Sequence, residues 1–180
     1  ALRQVLGEHA AQSGSYVSPE RLRFDFTHLA LLTEEELAAV ERIVNEQVRA
    51  NRPVTTTVMP YEQARKQGAI ALFGEKYGDQ VRVVRVEGFS TELCGGTHLK
   101  ATGEIGSFII VSEGSIGSGL RRIEAVTGRG ADAYRREQAI TLRQVARVLT
   151  AREDEVLAKA EALVSQLREQ RRTIQQLQEQ

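Results

Sequence analysis

The chain has 180 residues, which is enough for one domain with a buried core, with or without an appended segment. Its 24 Lys and Arg balance its 24 Asp and Glu, so it lacks the net positive charge that holds nucleic acid non-specifically. The single cysteine excludes an internal disulfide framework and favours a reducing, cytoplasmic compartment. With no signal peptide and no apolar run near the roughly 20 residues that span a bilayer, we expect no association with membranes.

Helix and strand patterns alternate through the first third of the chain. The apolar spacing of residues 1–12 predicts the end of a helix, which the turn-forming residues 13–15 terminate. Alternating apolar and polar residues over 21–26 predict a half-buried strand. Thr33-Glu-Glu-Glu36 has the spacing of a capping box, so we expect a helix to begin there and to end at Asn51-Arg-Pro53.

The middle of the chain is rich in strand patterns. Between its first two strands, Pro60 suits the first turn of a short helix and Gly68 its C-terminal cap. The last two strands are separated by the glycine-rich residues 114–119, which predict the turn of an antiparallel hairpin. The predicted strands cover residues 54–59, 80–86, 107–112 and 120–126.

The C-terminal part of the chain is helical in pattern. We expect one helix over 131–149, a break near Thr150, and a second helix whose apolar residues recur in steps of four and three. The recurring residues are Val156, Ala160, Leu163, Leu167, Ile174 and Leu177, with Gln170 as the one polar member. This spacing is typical of a coiled coil, so we divide the chain into an α+β domain at 1–130 and a helical arm at 131–180 that is a candidate for self-association.

One short segment carries two side chains of a kind that binds metals. Cys94 and His98 are four residues apart, and the two glycines between them let the backbone turn so that thiolate and imidazole converge. Zinc takes four ligands, or three and a water, so this pair is half of a metal site. A Cys/His nucleophile pair and a buried free thiol beside a turn histidine are the two alternatives.

The other candidate residues give weaker signals. His9 and His28 have no acid or thiol neighbours that suggest a cluster, and we interpret both as structural. The loop 114–119 lacks the Gly-Lys-Ser/Thr ending of a P-loop, which favours a hairpin turn. Arg121 and Arg122 begin the next strand, where alternation sends their guanidinium groups to opposite faces. One can then point into a site and the other to solvent or a phosphate, and a simple surface pair fits the pattern equally well.

Four segments, taken together, closely resemble the editing domain of the alanyl-tRNA synthetase family and the helical linker that follows it. They are residues 22–26, 71–77, 89–98 and 121–128. The most specific is Ser-Thr-Glu-Leu-Cys-Gly-Gly-Thr-His, a sequence shared with free-standing editing proteins, and threonyl-tRNA synthetases have related domains. The resemblance covers essentially the whole chain and implies an α+β fold in which an antiparallel-rich sheet packs with helices.

What the resemblance implies is hydrolytic proofreading: the family's editing domain removes serine or glycine wrongly esterified to the terminal adenosine of tRNA(Ala). The parent enzymes attach alanine to this tRNA with ATP, in an aminoacylation domain that is absent here. The resemblance identifies Cys94 and His98 as zinc ligands and gives Gln12, Thr97 and Arg121 roles around the aminoacyl end. We therefore expect Zn²⁺ as cofactor and the acceptor end of tRNA(Ala) as partner, with ATP used only by the absent domain.

The chain departs from the family pattern at its start. In the family, an upstream His-x3-His motif supplies two further zinc ligands, and this chain begins after that motif, at Ala1-Leu-Arg-Gln. His9 cannot replace the motif, because neither residue 5 nor residue 13 is a histidine. We therefore expect a piece of a longer protein, with an incomplete zinc site and impaired hydrolysis in isolation.

Two other functions fit parts of the sequence. A separate, trans-acting editing hydrolase would carry the same motif, although the abrupt start and the coiled-coil pattern argue against it. A structural or assembly module would use the helical arm for dimerisation and leave Cys94 inert.

Overall fold

The computed structural model describes residues 1–71 and 77–179 as an α+β fold in which both sheets are antiparallel. The helices are α1 (Leu2–Leu6), α2 (Glu34–Ala50), α3 (Tyr61–Lys66), α4 (Gly128–Leu149) and α5 (Val156–Gln178). The strands are β1 (Gln12–Val17), β2 (Leu22–Thr27), β3 (Val54–Pro60), β4 (Gln80–Val86), β5 (Ser90–Leu93), β6 (Phe108–Gly117) and β7 (Leu120–Thr127). The antiparallel sheets and the long C-terminal helix confirm the predicted fold class. The chain divides into two units, Ala1–Asp132 and Ala133–Gln180.

The four-stranded sheet, in the order β1-β2-β7-β6, carries one hydrophobic core of the first unit. Phe26 of β2 is completely buried in it, and burying a side chain of this size contributes about 1.5–3 kcal/mol to folding. Phe108 of β6 and Ile123 and Ala125 of β7 belong to the same cluster. The residues of α1 and α2 that pack against this cluster are Leu2, Leu6, Leu37 and Val44.

Helix α2 begins and ends as its local sequence predicts. The Thr33 hydroxyl accepts from the Glu36 amide at 3.1 Å, and the Glu36 carboxylate accepts from the Thr33 amide at 2.8 Å, which confirms the capping box. Asn51 ends the helix in the left-handed region, at φ 46°. The Asn45 amide bonds both the carbonyl of Phe108, at 2.8 Å, and its N–H, at 2.9 Å. The helix thereby covers the start of β6, an edge strand whose backbone would otherwise be open to pairing.

The three-stranded sheet, in the order β3-β4-β5, has one face packed on α3. Its core consists of Val81 and Val83 of β4, Leu93 of β5 and Ala64 of α3, all buried. The bounds of β4 are those predicted from its alternating sequence, and Gly68, at φ 78°, follows α3 as expected for the end of a helix. Because side chains alternate along a strand, the residues between the buried valines of β4 face away from this core.

The prediction of a helix over residues 1–12 that ends in a turn at 13–15 is wrong. Helix α1 stops at Leu6, Gly7 follows it at φ 106°, and residues 13–15 lie inside β1. Strand β1 pairs with the edge of β2 with a register shift between Gln12 and Gly14. The sequence of β1 has no clear alternation, and its conformation is set by the backbone hydrogen bonds that β2 offers from further along the chain.

Two further details differ from prediction. Strand β6 continues through the predicted turn to Gly117, which pairs with Leu120 and leaves only Ser118 and Gly119 in the turn. Glycines do not prevent strand pairing, and one register shift, between Ser115 and Gly117, lies in this glycine-rich segment. Strand β5 was not expected, because its four residues directly precede the Cys-Gly-Gly turn and give too short a pattern. Most of the 71–77 motif lies outside the described residues.

The second unit contains most of α4 and all of α5. Helix α4 ends at Leu149, and Thr150 has a φ of 49°, which confirms the predicted break. In α5 the residues Leu163, Leu167, Ile174 and Leu177 are 36–66% exposed, so self-association through them stays a prediction. None of the helices in the described part of the chain has the length and apolarity that crossing a membrane requires.

Candidate functional site

A cavity of about 360 Å³ lies over the face of the three-stranded sheet that is turned away from α3. Its sheet side includes Val84 and Val86 of β4 and Glu92 of β5, which pairs with Val84. The loop that follows β5 adds Cys94, Thr97 and His98 to the lining. Three of the five predicted site residues are therefore brought together in one cavity, by a strand pairing and the turn that follows it.

The loop over residues 94–98 is fastened to β4. The Cys94 amide donates to the carbonyl of Arg82 at 3.1 Å, which extends the pairing of β4 and β5 by one bond. The side chain of Arg82 returns toward the loop, where its Nη1 donates to the carbonyls of Cys94 and Gly96 at 2.8 and 2.5 Å. Cys94 is half-buried and His98 is exposed, so both side chains are accessible from the cavity.

Gln12 and Arg121, the other two predicted site residues, lie in the four-stranded sheet and do not line this cavity. Phe26 pairs with Gln12 on one side and with Arg121 on the other. The two predicted residues thus stand in one cross-strand row, two strands or roughly 10 Å apart. Gln12 Nε2 donates to the hydroxyl of Ser15 at 2.9 Å.

Both arginines at the start of β7 are paired with carboxylates. Arg121 donates through Nε and Nη2 to Glu113 at 2.5 and 2.7 Å, and the side chains of this pair are only 10% and 3% exposed. Arg122 donates through Nε and Nη2 to the two oxygens of Asp25 at 2.7 and 2.8 Å. The hydrogen bonds to Glu113 raise the pKa of Arg121. Each guanidinium is therefore held in a two-point contact, the geometry in which arginine binds a carboxylate most strongly.

Comparison with known proteins finds relatives that include this part of the chain. Residues 81–124, which include β4, the 94–98 loop and Arg121, match the family described as the threonyl and alanyl tRNA synthetase second additional domain. The chain is 52% identical over 179 residues to an alanine–tRNA ligase of Idiomarina loihiensis, in a match that covers 99% of the chain and 21% of the relative. It is 53% identical over 179 residues to one of Nitratidesulfovibrio vulgaris, covering 97% and 20%. The chain matches a single region of the alanine–tRNA ligases.

That match confirms the resemblance to alanyl-tRNA synthetases drawn from the motifs. A third alanine–tRNA ligase, of Chloroflexus aurantiacus, is 50% identical over 189 residues, in a match that covers 98% of the chain and 21% of the relative. The chain thus spans about a fifth of the length of these alanine–tRNA ligases.

Two of the residues that line the cavity are of a kind that binds metals. In residues 1–71 and 77–179, no three His, Cys, Asp or Glu side chains are grouped as a metal would need. Cys94 and His98 share one cavity and offer a thiolate and an imidazole, a donor pair that suits zinc.

Two features of the region were not found from the sequence. His9 and His28 contact each other, with Nε2 of His9 2.9 Å from Nδ1 of His28 and ring centroids 5.2 Å apart. Arg82 reaches the 94–98 loop from the middle of a strand. A charged residue between the apolar residues Val81 and Val83 is the signal that was available for Arg82. No sequence signal joined the two histidines, because they are 19 residues apart and lie in different loops, one after α1 and one after β2.

Replacing Asp25 by asparagine is expected to lower the unfolding free energy at pH 7 by about 1–2 kcal/mol, since it removes a charge-assisted contact near the surface. The hydrogen bonds from Arg122 hold the pKa of Asp25 below its usual value. A carboxyl whose pKa is lower in the folded state stabilises the fold above its unfolded pKa, and this stabilisation is lost as the pH falls below about 4. Urea unfolding at pH 7 and pH 3 measures this: the difference between wild type and variant should shrink at pH 3. An equal difference at both values would contradict it.

Proposed function

We propose that this region is the editing part of an alanine–tRNA ligase and hydrolyses serine or glycine esterified to tRNA(Ala). The observation that carries the proposal is the cavity in which Cys94, Thr97 and His98 meet, within the segment that matches the second additional domain. In the complete protein, a separate domain attaches alanine to the same tRNA with ATP. The expected compartment is the cytoplasm, where tRNA charging takes place.

Cys94 and His98 would hold a zinc ion, which supplies a Lewis acid for an ester carbonyl or a water. The other two ligands would come from a His-x3-His motif ahead of Ala1, where residues i and i+4 of a helix lie on the same side. The 180-residue chain alone, with two of the ligands, would hydrolyse its substrate slowly.

Selection of serine over alanine would depend on hydrogen bonding in the cavity. Thr97 is one of the lining residues, and on the strand side the Ser90 hydroxyl donates to the Glu92 carboxylate at 2.7 Å. A site that bonds a substrate hydroxyl leaves buried polar groups unpaired when that hydroxyl is missing. Alanine differs from serine by this hydroxyl, so the cavity would favour serine.

Gln12 and Arg121 are proposed to act at the aminoacyl end from the neighbouring sheet. The guanidinium of Arg121 is bound to Glu113 through Nε and Nη2, so it would hold the shape of that surface. The partner of the region is the acceptor end of tRNA(Ala), which has to reach the cavity over the 94–98 loop. The helical arm at 131–180 would contribute to self-association, and the α+β domain at 1–130 would carry out the hydrolysis.

The proposal is tested by hydrolysis of Ser-tRNA(Ala) and Ala-tRNA(Ala) by the complete ligase that contains this region. We expect Ser-tRNA(Ala) to be hydrolysed at least about a hundredfold faster, as a site that recognises a hydroxyl allows. The 180-residue chain should hydrolyse it far more slowly than the complete protein. Equal rates for the two substrates would contradict the editing function, and self-association without any hydrolysis would favour a structural module.

A further inference from the structure

We propose that Arg82 is a positioning residue of the zinc half-site, where its side chain fixes the turn that directs Cys94 and His98 into the cavity. This inference rests on the proposed function, since it assigns a role to a residue beside the proposed ligands. Arg82 lies on β4, the middle strand of the three-stranded sheet, and is half-buried. It is not part of the cavity lining and would not touch substrate.

The contacts of Arg82 join three points of the loop to one guanidinium group. Its Nη1 lies 2.8 Å from the carbonyl oxygen of Cys94, 2.5 Å from that of Gly96 and 3.4 Å from Nδ1 of His98. Its Nη2 lies 3.5 Å from the hydroxyl of Thr56, on β3. From its position on β4, the side chain of Arg82 therefore contacts both β3 and the two ends of the 94–98 loop.

The two carbonyl contacts are the stronger ones. A guanidinium Nη carries two hydrogens, and the short contacts to Cys94 and Gly96 use both. The contact to His98 is longer and shares one of these hydrogens. Because arginine has only donors, Nδ1 of His98 is the acceptor of this hydrogen bond. A ring nitrogen that binds a metal cannot accept a hydrogen bond, so this contact would be lost if Nδ1 bound the metal. The carbonyl contacts, in contrast, are compatible with a metal on His98 and carry the positioning.

A fixed loop matters here because the sequence makes it flexible. Gly95 and Gly96 have no side chain to restrict the backbone and are both exposed. When Arg82 fixes the carbonyls of Cys94 and Gly96, the loop has fewer conformations available. Less conformational entropy is then lost when the thiolate and the imidazole converge. Mutating a residue that orients a metal ligand typically lowers metal affinity or activity by 10–100-fold. Lysine would serve less well, since its single ammonium lacks the planar, fixed donors of arginine.

The test compares three variants of the complete ligase, with Zn²⁺ as the probe. Arg82→Met keeps an apolar stem and removes the donors, Arg82→Lys keeps the charge, and Arg85→Met is the matched control. Arg85 lies on the same strand, is exposed, and donates to Gln67 at 2.9 Å instead of to the loop. We expect Arg82→Met to weaken zinc binding by about 10–100-fold, Arg82→Lys to weaken it less, and Arg85→Met to leave it unchanged.

A second measurement keeps this test separate from that of the proposed function. In the 180-residue chain without metal, backbone NMR order parameters of Gly95 and Gly96 should fall below about 0.6 in Arg82→Met and stay at the wild-type value in Arg85→Met. If the wild-type ligase takes up no zinc, the metal assignment fails and the order parameters still decide the role of Arg82. Unchanged zinc affinity and unchanged order parameters in a folded Arg82→Met variant would overturn the inference. If Arg82→Met does not fold, Arg82→Lys provides both readouts.

Discussion

Replacing Cys94 by alanine in the complete ligase is expected to slow hydrolysis of Ser-tRNA(Ala) by about a hundredfold or more. The estimate follows from the 10–100-fold cost of removing groups that only orient metal ligands, since a ligand itself contributes at least as much. The same variant should take up less zinc. Attachment of alanine to tRNA should be unaffected, because the proposed function assigns that reaction to a separate domain.

The structure indicates that Cys94→Ala removes the thiol and leaves the fold intact. Cys94 is half-buried at the end of β5, and its hydrogen bonds to Arg82 involve its backbone amide and carbonyl, which alanine keeps. The fold should therefore survive the substitution, and circular dichroism checks this. His98→Ala should give the same two losses, since both residues would bind one ion. Full hydrolysis with normal zinc content in Cys94→Ala would show that the thiol is a passive part of the turn.

The features that were predicted correctly depend on neighbours in sequence. The capping box at Thr33 and Glu36, the alternating strand β4 and the break at Thr150 each involve residues a few positions apart. The prediction for the residues of β1 was wrong because their conformation depends on β2, with which β1 pairs only after the chain has turned back. Local sequence does not contain that information.

The candidate site shows the same division between local and distant contacts. Cys94 and His98 are close in sequence and both line one cavity, and their convergence on a metal stays a prediction. The role of Arg82 depends on β4 and β5 being neighbours, and the contact of His9 with His28 depends on the path between α1 and β2. A pattern search finds residues of a suitable type, but the register of two strands decides which of them face each other.

Replacing Glu113 by alanine is expected to lower the unfolding free energy by about 3–5 kcal/mol, the cost of leaving a buried charge without its partner. The carboxylate of Glu113 is 3% exposed and binds Arg121 at two points, and Arg121 is itself 10% exposed. Alanine would leave this guanidinium in the core beside Phe26, with which Arg121 is paired across the strands. Urea unfolding followed by circular dichroism measures the loss, and hydrogen exchange in β7 assigns it to this sheet.

Two further variants identify the unpaired charge as the cause. Glu46→Ala breaks the pair of Arg42 and Glu46, whose side chains are 63% and 46% exposed, and should cost at most about 0.5 kcal/mol. Glu113→Leu combined with Arg121→Met removes both charges and should recover most of the stability lost in Glu113→Ala, because apolar pairs often replace buried ion pairs at little cost. If the double variant is as unstable as the single one, packing around Glu113 matters more than charge. If it is stable, the pair contributes little net stability, and its place beside the Gln12–Phe26–Arg121 row points to a role in shaping the surface of that sheet.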